Sequence, residues 1–173
     1  MNNSDISLSI RVDDVSLLEL VFQVGSSNFE GAHLVMELDN PQNDFNMSRA
    51  DNRALMQSTV SVKCEMHNVD GDESSNPLMI FGTTLGVVVS VPIPQSAAGD
   101  ARHMAGVDNS TARRDSKMTN ALRLEAIKHA HAFASMKLSE LSAMSVCPKI
   151  ALPPIDPDAL LRDLKRHEVE WGI

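Results

Sequence analysis

The first half of the chain alternates apolar and polar residues with a period of two, which is typical of half-buried β-strands. Gly, Pro, Asn and Asp residues divide this half into four strand-forming segments. Alternating or extended apolar sequence is found in residues 6–12, continued in 15–24, and then in 34–38, 60–66 and 78–91. We therefore predict a four-stranded antiparallel sheet over about residues 5–91.

The segments between these strands carry turn chemistry. An Asp-Gly pair within residues 68–72 tolerates the positive φ angles of a tight turn. Residues 39–52 are rich in Asn and Asp and are predicted to be a connection, with a helical turn near 47–55. Gly82 and Gly86 predict a bulge or bend in the fourth strand, where another backbone comes close.

The second half of the chain changes to a helical period. Residues 92–115 are predicted to form a polar crossover, followed by a long helix over about 116–145, which a proline ends. A proline-rich loop over 146–156 and a short amphipathic helix over about 157–170 come last. The predicted fold is therefore α+β, with a four-stranded antiparallel sheet followed by a long helix, a loop and a short lid helix.

The predicted long helix is apolar around most of its circumference. One apolar stripe comprises Met118, Leu122, Ala126, Phe133, Met136 and Met144, and a second comprises Leu124, Ile127, Ala134, Leu138 and Leu141. A helix that is apolar nearly all round must be buried, and a domain of this size cannot wrap a helix of about eight turns on every side. We therefore expect the chain to self-associate.

Composition limits the classes of function. The 173 residues suit a single domain, residues 1–173, and only 3% are aromatic, so aliphatic side chains and ten Met must fill the core or line adaptable apolar surfaces. A net charge of −8 argues against nucleic acid as a partner. No secretory signal, membrane-spanning stretch or disulfide framework is recognised, so we expect a cytoplasmic protein without membrane insertion.

No group of residues predicts catalysis or metal binding. Cys147 beside a proline is more typical of a small buried hydrophobe than of a nucleophile. His129 and His131 point to different faces of a helix and cannot chelate one metal ion. Cys64 and His67 lack the second pair of ligands that a zinc site needs. We therefore predict a binding protein rather than an enzyme, with no cofactor and no metal.

The loop after the long helix is the best candidate for a binding function. Residues 150–155 place apolar and proline positions side by side between two helices. Such a loop either packs on the core or forms one wall of an apolar groove for extended polypeptide, covered by a movable amphipathic helix. The pattern alone leaves both interpretations open.

Residues 147–161, from Cys-Pro-Lys-Ile-Ala-Leu-Pro-Pro-Ile to Asp-Pro-Asp-Ala-Leu-Leu, resemble the helix-connecting loop and lid helix of the SecB chaperone family. Residues 6–12 and the Asp-Val-Ser step at 14–16 are similar to that family's opening strand, and the order of elements matches over nearly the whole chain. The resemblance implies an ATP-independent holdase for unfolded polypeptides, serving protein export as a homotetramer built as a dimer of dimers.

By residue matching, the resemblance implies a client groove lined by the second strand, the loop and the lid. Its positions are Leu34, Met36, Leu38, Ile150, Leu152, Pro154, Ile155 and Leu161. Asp14 matches an acidic contact to the export motor SecA, but the family's next acidic positions fall at Leu18 and near Gly82, which weakens the case for SecA. The alternative is a chaperone of an antitoxin or other dedicated partner, or an assembly subunit that reuses the fold.

Overall fold

The computed structural model describes residues 9–48, 52–68, 76–92, 109–156, 159–160 and 162. Four strands and a helix follow one another: β1 (Arg11–Val24), β2 (Ala32–Ser48), β3 (Arg53–Asn68), β4 (Met79–Pro92) and α1 (Asn109–Ala143). The predicted α+β class, with an antiparallel sheet followed by a long helix, is confirmed. No helix within these ranges is long and apolar enough to span a membrane.

Some predicted segments lie outside the described residues. They are residues 6–8 of the first strand, most of the crossover, and most of the lid helix, including Leu161. Of the lid helix, residues 159–160 and 162 are helical, and the amide of Leu160 donates to the carbonyl oxygen of Asp156 at 3.1 Å. The loop that precedes them is described up to residue 156.

The sheet has the strand order β1-β4-β3-β2, and all neighbouring strands are antiparallel. The edges are therefore β1 and β2, whereas β3 and β4 are central. The helix α1 packs mainly across β3 and β4 on one face of the sheet. Directly opposed residues on neighbouring strands share a face, so the register determines which side chains of the edge strands point toward the helix side.

Residues 39–48 belong to β2 and residues 53–55 belong to β3, so the prediction of a connection over 39–52 with a helical turn near 47–55 was wrong. β2 continues past a bulge between Asp39 and Gln42, and beyond it Phe45 is opposite Met56 of β3. Asn and Asp have weak strand propensity in isolation. Pairing with β3 supplies hydrogen-bond partners for the backbone of this segment, and that gain from tertiary structure outweighs local propensity.

β1 is one continuous strand, although the sequence pattern indicates an interruption at Asp13. Its register with β4 shifts by one residue at Asp13 and again at Leu18. Each extra residue changes the parity of the positions that face one side of a sheet. Val15 and Leu17 therefore face the helix side before the second bulge and Leu20 faces it afterwards, which explains the irregular alternation of residues 15–24.

The helix α1 begins at Asn109 rather than at residue 116 and ends at Ala143 rather than at residue 145. The first residues of this helix are polar and were assigned to the crossover. Hydrophobic periodicity cannot detect such a segment, whereas Arg113 and Arg114 have intrinsic helix propensities close to those of apolar helix formers. The polar start of the helix is thus compatible with its sequence.

Side chains from the sheet and α1 form two core clusters. The first core cluster contains Ala54, Met56, Val60, Leu85, Val87, Val89, Val91, Leu122, Ala126, Ile127 and Ala130. The second core cluster contains Val62, Cys64, Met66, Met79, Phe81, Ala134, Leu138, Cys147, Ile150 and Leu152. The last three residues belong to the proline-rich loop, so this loop closes one end of the core beside α1.

Candidate functional site

The three predicted groove positions of β2 lie on the helix side of the sheet. Leu34, Met36 and Leu38 are opposite Met66, Cys64 and Val62 of β3, all of which are buried. The three β2 side chains are half-buried and pack against the second core cluster. Edge strands have a neighbour on one side only, so β3 covers only part of the apolar surface on the helix-facing side of β2.

Part of the proline-rich loop lies in the same core cluster. Ile150 and Leu152 are only 7% and 8% exposed, and they belong to the cluster against which the β2 side chains pack. Ile155 is half-buried against the first core cluster, whereas Pro154 is exposed. The structure therefore places the three β2 positions in one apolar region with Ile150 and Leu152, and the two loop side chains are buried in it.

Three hydrogen bonds fasten the loop, and all of them use side chains in or just after α1. The hydroxyl of Ser142, which is fully buried, accepts the amide of Ile150 at 3.1 Å. The ring Nε2 of His131 lies 2.9 Å from the carbonyl oxygen of Pro153, and because a carbonyl can only accept, Nε2 is the donor. The amide of Cys147 donates to Ser145 Oγ at 3.1 Å. The loop is thus attached to the helix at both ends of its apolar stretch.

A polar network at the β2 bulge holds α1 against the edge of the sheet. Asn40 is 8% exposed, and its Nδ2 donates to the carbonyl oxygen of Thr59 at 2.8 Å. Its Oδ1 accepts from Arg123 Nε and from Asn43 Nδ2, each at 2.6 Å. Asn43 Oδ1 in turn accepts from the buried hydroxyl of Ser58 at 2.7 Å. Sequence reasoning missed this network, although an Arg among apolar helix positions was a usable signal.

β1 leaves apolar side chains uncovered on the helix side of the sheet. Val15, Leu17 and Leu20 are opposite buried or core-facing residues of β4 but are 36%, 46% and 40% exposed, because α1 lies over β3 and β4 instead. On α1 itself, Met136 is 55% exposed. These uncovered apolar residues lie on the surface of the single chain.

The outer face of the sheet carries the residue matched to SecA. Asp14 is exposed there, opposite Val88, and its carboxylate accepts a hydrogen bond from Ser16. Leu18 is 60% exposed, and its side chain lies over Gly86, where an added Cβ would come within 3.8 Å of it. An apolar side chain thus lies on this face at the position where the resemblance implies a second acidic residue.

Both cysteines are buried and pack in the second core cluster. Burial raises the pKa of the Cys64 thiol to about 11, so this thiol is neutral at physiological pH. Cys147 packs in the same core cluster. In the ranges that the structure describes, no three His, Cys, Asp or Glu residues are grouped so as to hold a metal ion. The apolar region that holds Ile150 and Leu152 is bordered by the hydrogen bonds of Ser142 and His131.

Comparisons with known proteins give distant structural likenesses. No protein-family model matches the chain, and no curated protein does. The chain is similar to a SecB-like chaperone of Mycobacterium tuberculosis in complex with a ChAD peptide from the HigA1 antitoxin, with 10% identity, a TM-score of 0.49, and coverage of 85% of this chain and 91% of that chain. It is also similar to a protein of unknown function from Streptococcus agalactiae, with 7% identity, a TM-score of 0.35, and coverage of 86% and 99%. Values this low do not assign the chain to a neighbour's family.

Proposed function

We propose that this protein is an ATP-independent, SecB-like holdase that binds non-native polypeptides without a cofactor. One observation carries the proposal: Leu34, Met36 and Leu38 of β2 lie in the same apolar region as Ile150 and Leu152 of the loop. These segments are far apart in sequence, and the sequence resemblance matches both of them to client-binding positions. Pro154, Ile155 and Leu161 complete the proposed client surface.

The chemistry of this surface suits an extended, unfolded chain. Aliphatic and Met side chains line it, and Met adapts to apolar partners of varied shape. In an extended segment, alternate side chains point to one side, which is also how the three β2 positions are presented. Affinity from such a surface depends on apolar contact rather than on a particular sequence, as a general holdase requires.

The proposal includes a cytoplasmic homotetramer, arranged as a dimer of dimers. Its support is the apolar surface that one chain leaves uncovered, at Val15, Leu17 and Leu20 of β1 and at Met136 of α1. Contiguous exposed apolar surface and an unpaired strand edge both favour association. Light scattering at micromolar concentration is expected to give a mass of four chains, and a monomer would contradict this part of the proposal.

A dedicated partner, such as an antitoxin, is the second candidate, and Leu18 is the observation that favours it. This residue is exposed on the outer face near Asp14, the residue matched to SecA. An exposed apolar side chain in place of a charge suits a specific apolar contact better than the acidic contact that binding to the export motor requires. An exposed apolar side chain on the outer face of the sheet would also suit an assembly subunit with one folded partner.

Client binding tests the proposal directly. The wild-type protein is expected to bind fluorescein-labelled, reduced and carboxymethylated lactalbumin, which is permanently unfolded, in an anisotropy titration. Met36→Asp places a carboxylate on the apolar surface, where it is costly to desolvate, and is expected to weaken binding at least about tenfold. Leu34→Ser is a milder variant for the same surface.

Val35→Asp is the matched control, because Val35 precedes Met36 on β2 but lies on the outer face, where it is 43% exposed. Its dissociation constant is expected to stay close to that of the wild type, and circular dichroism checks that each variant is folded. Absence of lactalbumin binding by the wild type would reject the holdase. Saturable binding of one folded partner or antitoxin segment, without lactalbumin binding, would instead support the second candidate.

A further inference from the structure

We infer that residues 147–155, which we name the strap, occupy the client surface in the free protein, and that a client binds by displacing them. The inference rests on the proposed function and deepens it, because it assigns a regulatory role to part of the client site. It also narrows the proposed client surface: β2 supplies the surface that the client contacts, whereas the loop positions from Ile150 to Ile155 belong to the strap, which competes for that surface within the same chain.

The first support is that the strap already has the form of a bound client. Its apolar side chains alternate in exposure, with Ile150 and Leu152 buried and Ala151 and Pro153 exposed. The segment contains neither helix nor strand, and its three prolines favour an extended backbone. An unfolded polypeptide laid on the same surface would present every second side chain in the same way.

The second support is that the strap is attached rather than integrated. Among the described residues, no backbone hydrogen bond joins it to a strand. Besides the burial of Cys147, Ile150 and Leu152, it is held by the hydrogen bonds from Ile150 to Ser142, from His131 to Pro153 and from Cys147 to Ser145. Opening the strap therefore leaves the sheet and α1 hydrogen-bonded as before. Segments with few backbone bonds are the ones that open locally without global unfolding.

These two features make the strap an internal competitor. When a surface is free only part of the time, the apparent affinity for a ligand falls in proportion to that fraction. Weakening the fastening without altering the β2 surface should therefore strengthen client binding. If the strap were instead a fixed wall that the client contacts, loosening it would weaken binding. The two arrangements thus predict effects of opposite sign.

The test compares variants of the two fastening side chains. Ser142→Ala removes the acceptor of the Ile150 amide, and His131→Ala removes the donor to Pro153. Each is expected to lower the dissociation constant for the labelled, carboxymethylated lactalbumin by about two- to tenfold. The loss of one hydrogen bond changes the equilibrium between the closed and the displaced strap by about that factor. His131 lies on the helix surface, so its variant keeps the test valid if Ser142→Ala is poorly folded.

His129→Ala is the matched control on the same helix. His129 is exposed and pairs with Glu125 at 3.3 Å, and it has no hydrogen bond to the strap among the described residues, so binding should stay within about twofold of the wild type. Unchanged or weaker binding by both fastening variants would overturn the inference while leaving the holdase intact. Failure of every protein to bind, including the wild type, would reject the proposed function and the strap with it.

Thiol labelling gives an independent readout. Cys147 lies in the strap and is 8% exposed, whereas Cys64 lies on β3 and is fully buried. Saturating lactalbumin is expected to raise the reaction rate of Cys147 with a thiol reagent at least about fivefold, because the displaced strap is open to solvent, and to leave Cys64 unreactive. An unchanged or slower reaction of Cys147 would overturn displacement of the strap.

Discussion

Replacing Phe81 with alanine is expected to lower the free energy of unfolding by about 3–5 kcal/mol. Phe81 is fully buried in the second core cluster, opposite Phe22 of β1 and Cys64 of β3. The helix residues in that cluster include Ala134, whose small side chain cannot fill the space that the phenyl ring leaves. The variant therefore loses both the transfer free energy of the ring and the contacts around the resulting cavity.

Guanidinium chloride denaturation at one fixed protein concentration measures this loss, because association would otherwise change the apparent stability. Ile80→Ala is the control on the neighbouring residue, which is half-buried on the opposite face of β4. It is expected to cost about 1 kcal/mol. Equal losses for the two variants would contradict the assignment of the helix-facing side as the core.

Asn40→Ala is expected to lower the free energy of unfolding by about 2–3 kcal/mol. The variant removes the donor to the carbonyl oxygen of Thr59 and the acceptor shared by Arg123 and Asn43. Hydrogen bonds to charged groups contribute more to stability than bonds between neutral groups do. A partly buried polar group that loses a hydrogen-bond partner also lowers the stability of the fold. The loss should also loosen α1 from β2, since Arg123 is the helix residue in this network.

Urea denaturation measures the loss, and hydrogen exchange of the α1 amides shows whether the helix is loosened. Gln42→Ala is the control just beyond the bulge, where the side chain is exposed and donates only to Asp44 among the described partners. It should change the stability by less than about 0.5 kcal/mol. If Asn40→Ala were equally mild, the network would not fasten the helix.

A segment could be predicted to be a strand or a helix where its hydrophobic residues repeat with one period and no interruption. β3 has no bulge, and its alternate residues are buried along its whole length, so its pattern predicts both the strand and its inner face. α1 was predicted from its apolar spacing for the same reason. In both cases the pattern repeats with the geometry of the element, and no partner is needed to interpret it.

Bulges explain most of the errors in the sheet. An extra residue at Asp13, at Leu18 and within residues 39–42 changes the parity of the strand, so inward-facing positions switch from even to odd numbers or back. In β2, for example, Leu38 faces inward before the bulge and Phe45 after it. Where a bulge falls is determined by pairing with the neighbouring strand, which the segment's own sequence does not contain.

The candidate site, like the sheet, was predictable only in the features that depend on local sequence. The pattern placed Leu34, Met36 and Leu38 on one face of a strand and marked the proline-rich loop as apolar, and it left open whether that loop packs on the core. Burial of Ile150 and Leu152 depends on distant residues of the second core cluster. Ser142 gave no sequence signal, because a serine near a helix end has many local partners and its bond to Ile150 appears only after folding.

The sequence by itself determined the α+β class, the order of the elements and the apolar character of β2 and the loop, because these depend on local periods and on proline and glycine. The tertiary structure alone decided the β2–β3 hairpin, the attachment of α1 through Arg123 and Asn40, and the closed position of the strap. Each of these depends on contacts between segments far apart in the chain. Such contacts are chosen by the packing of the whole domain, and no local pattern encodes them.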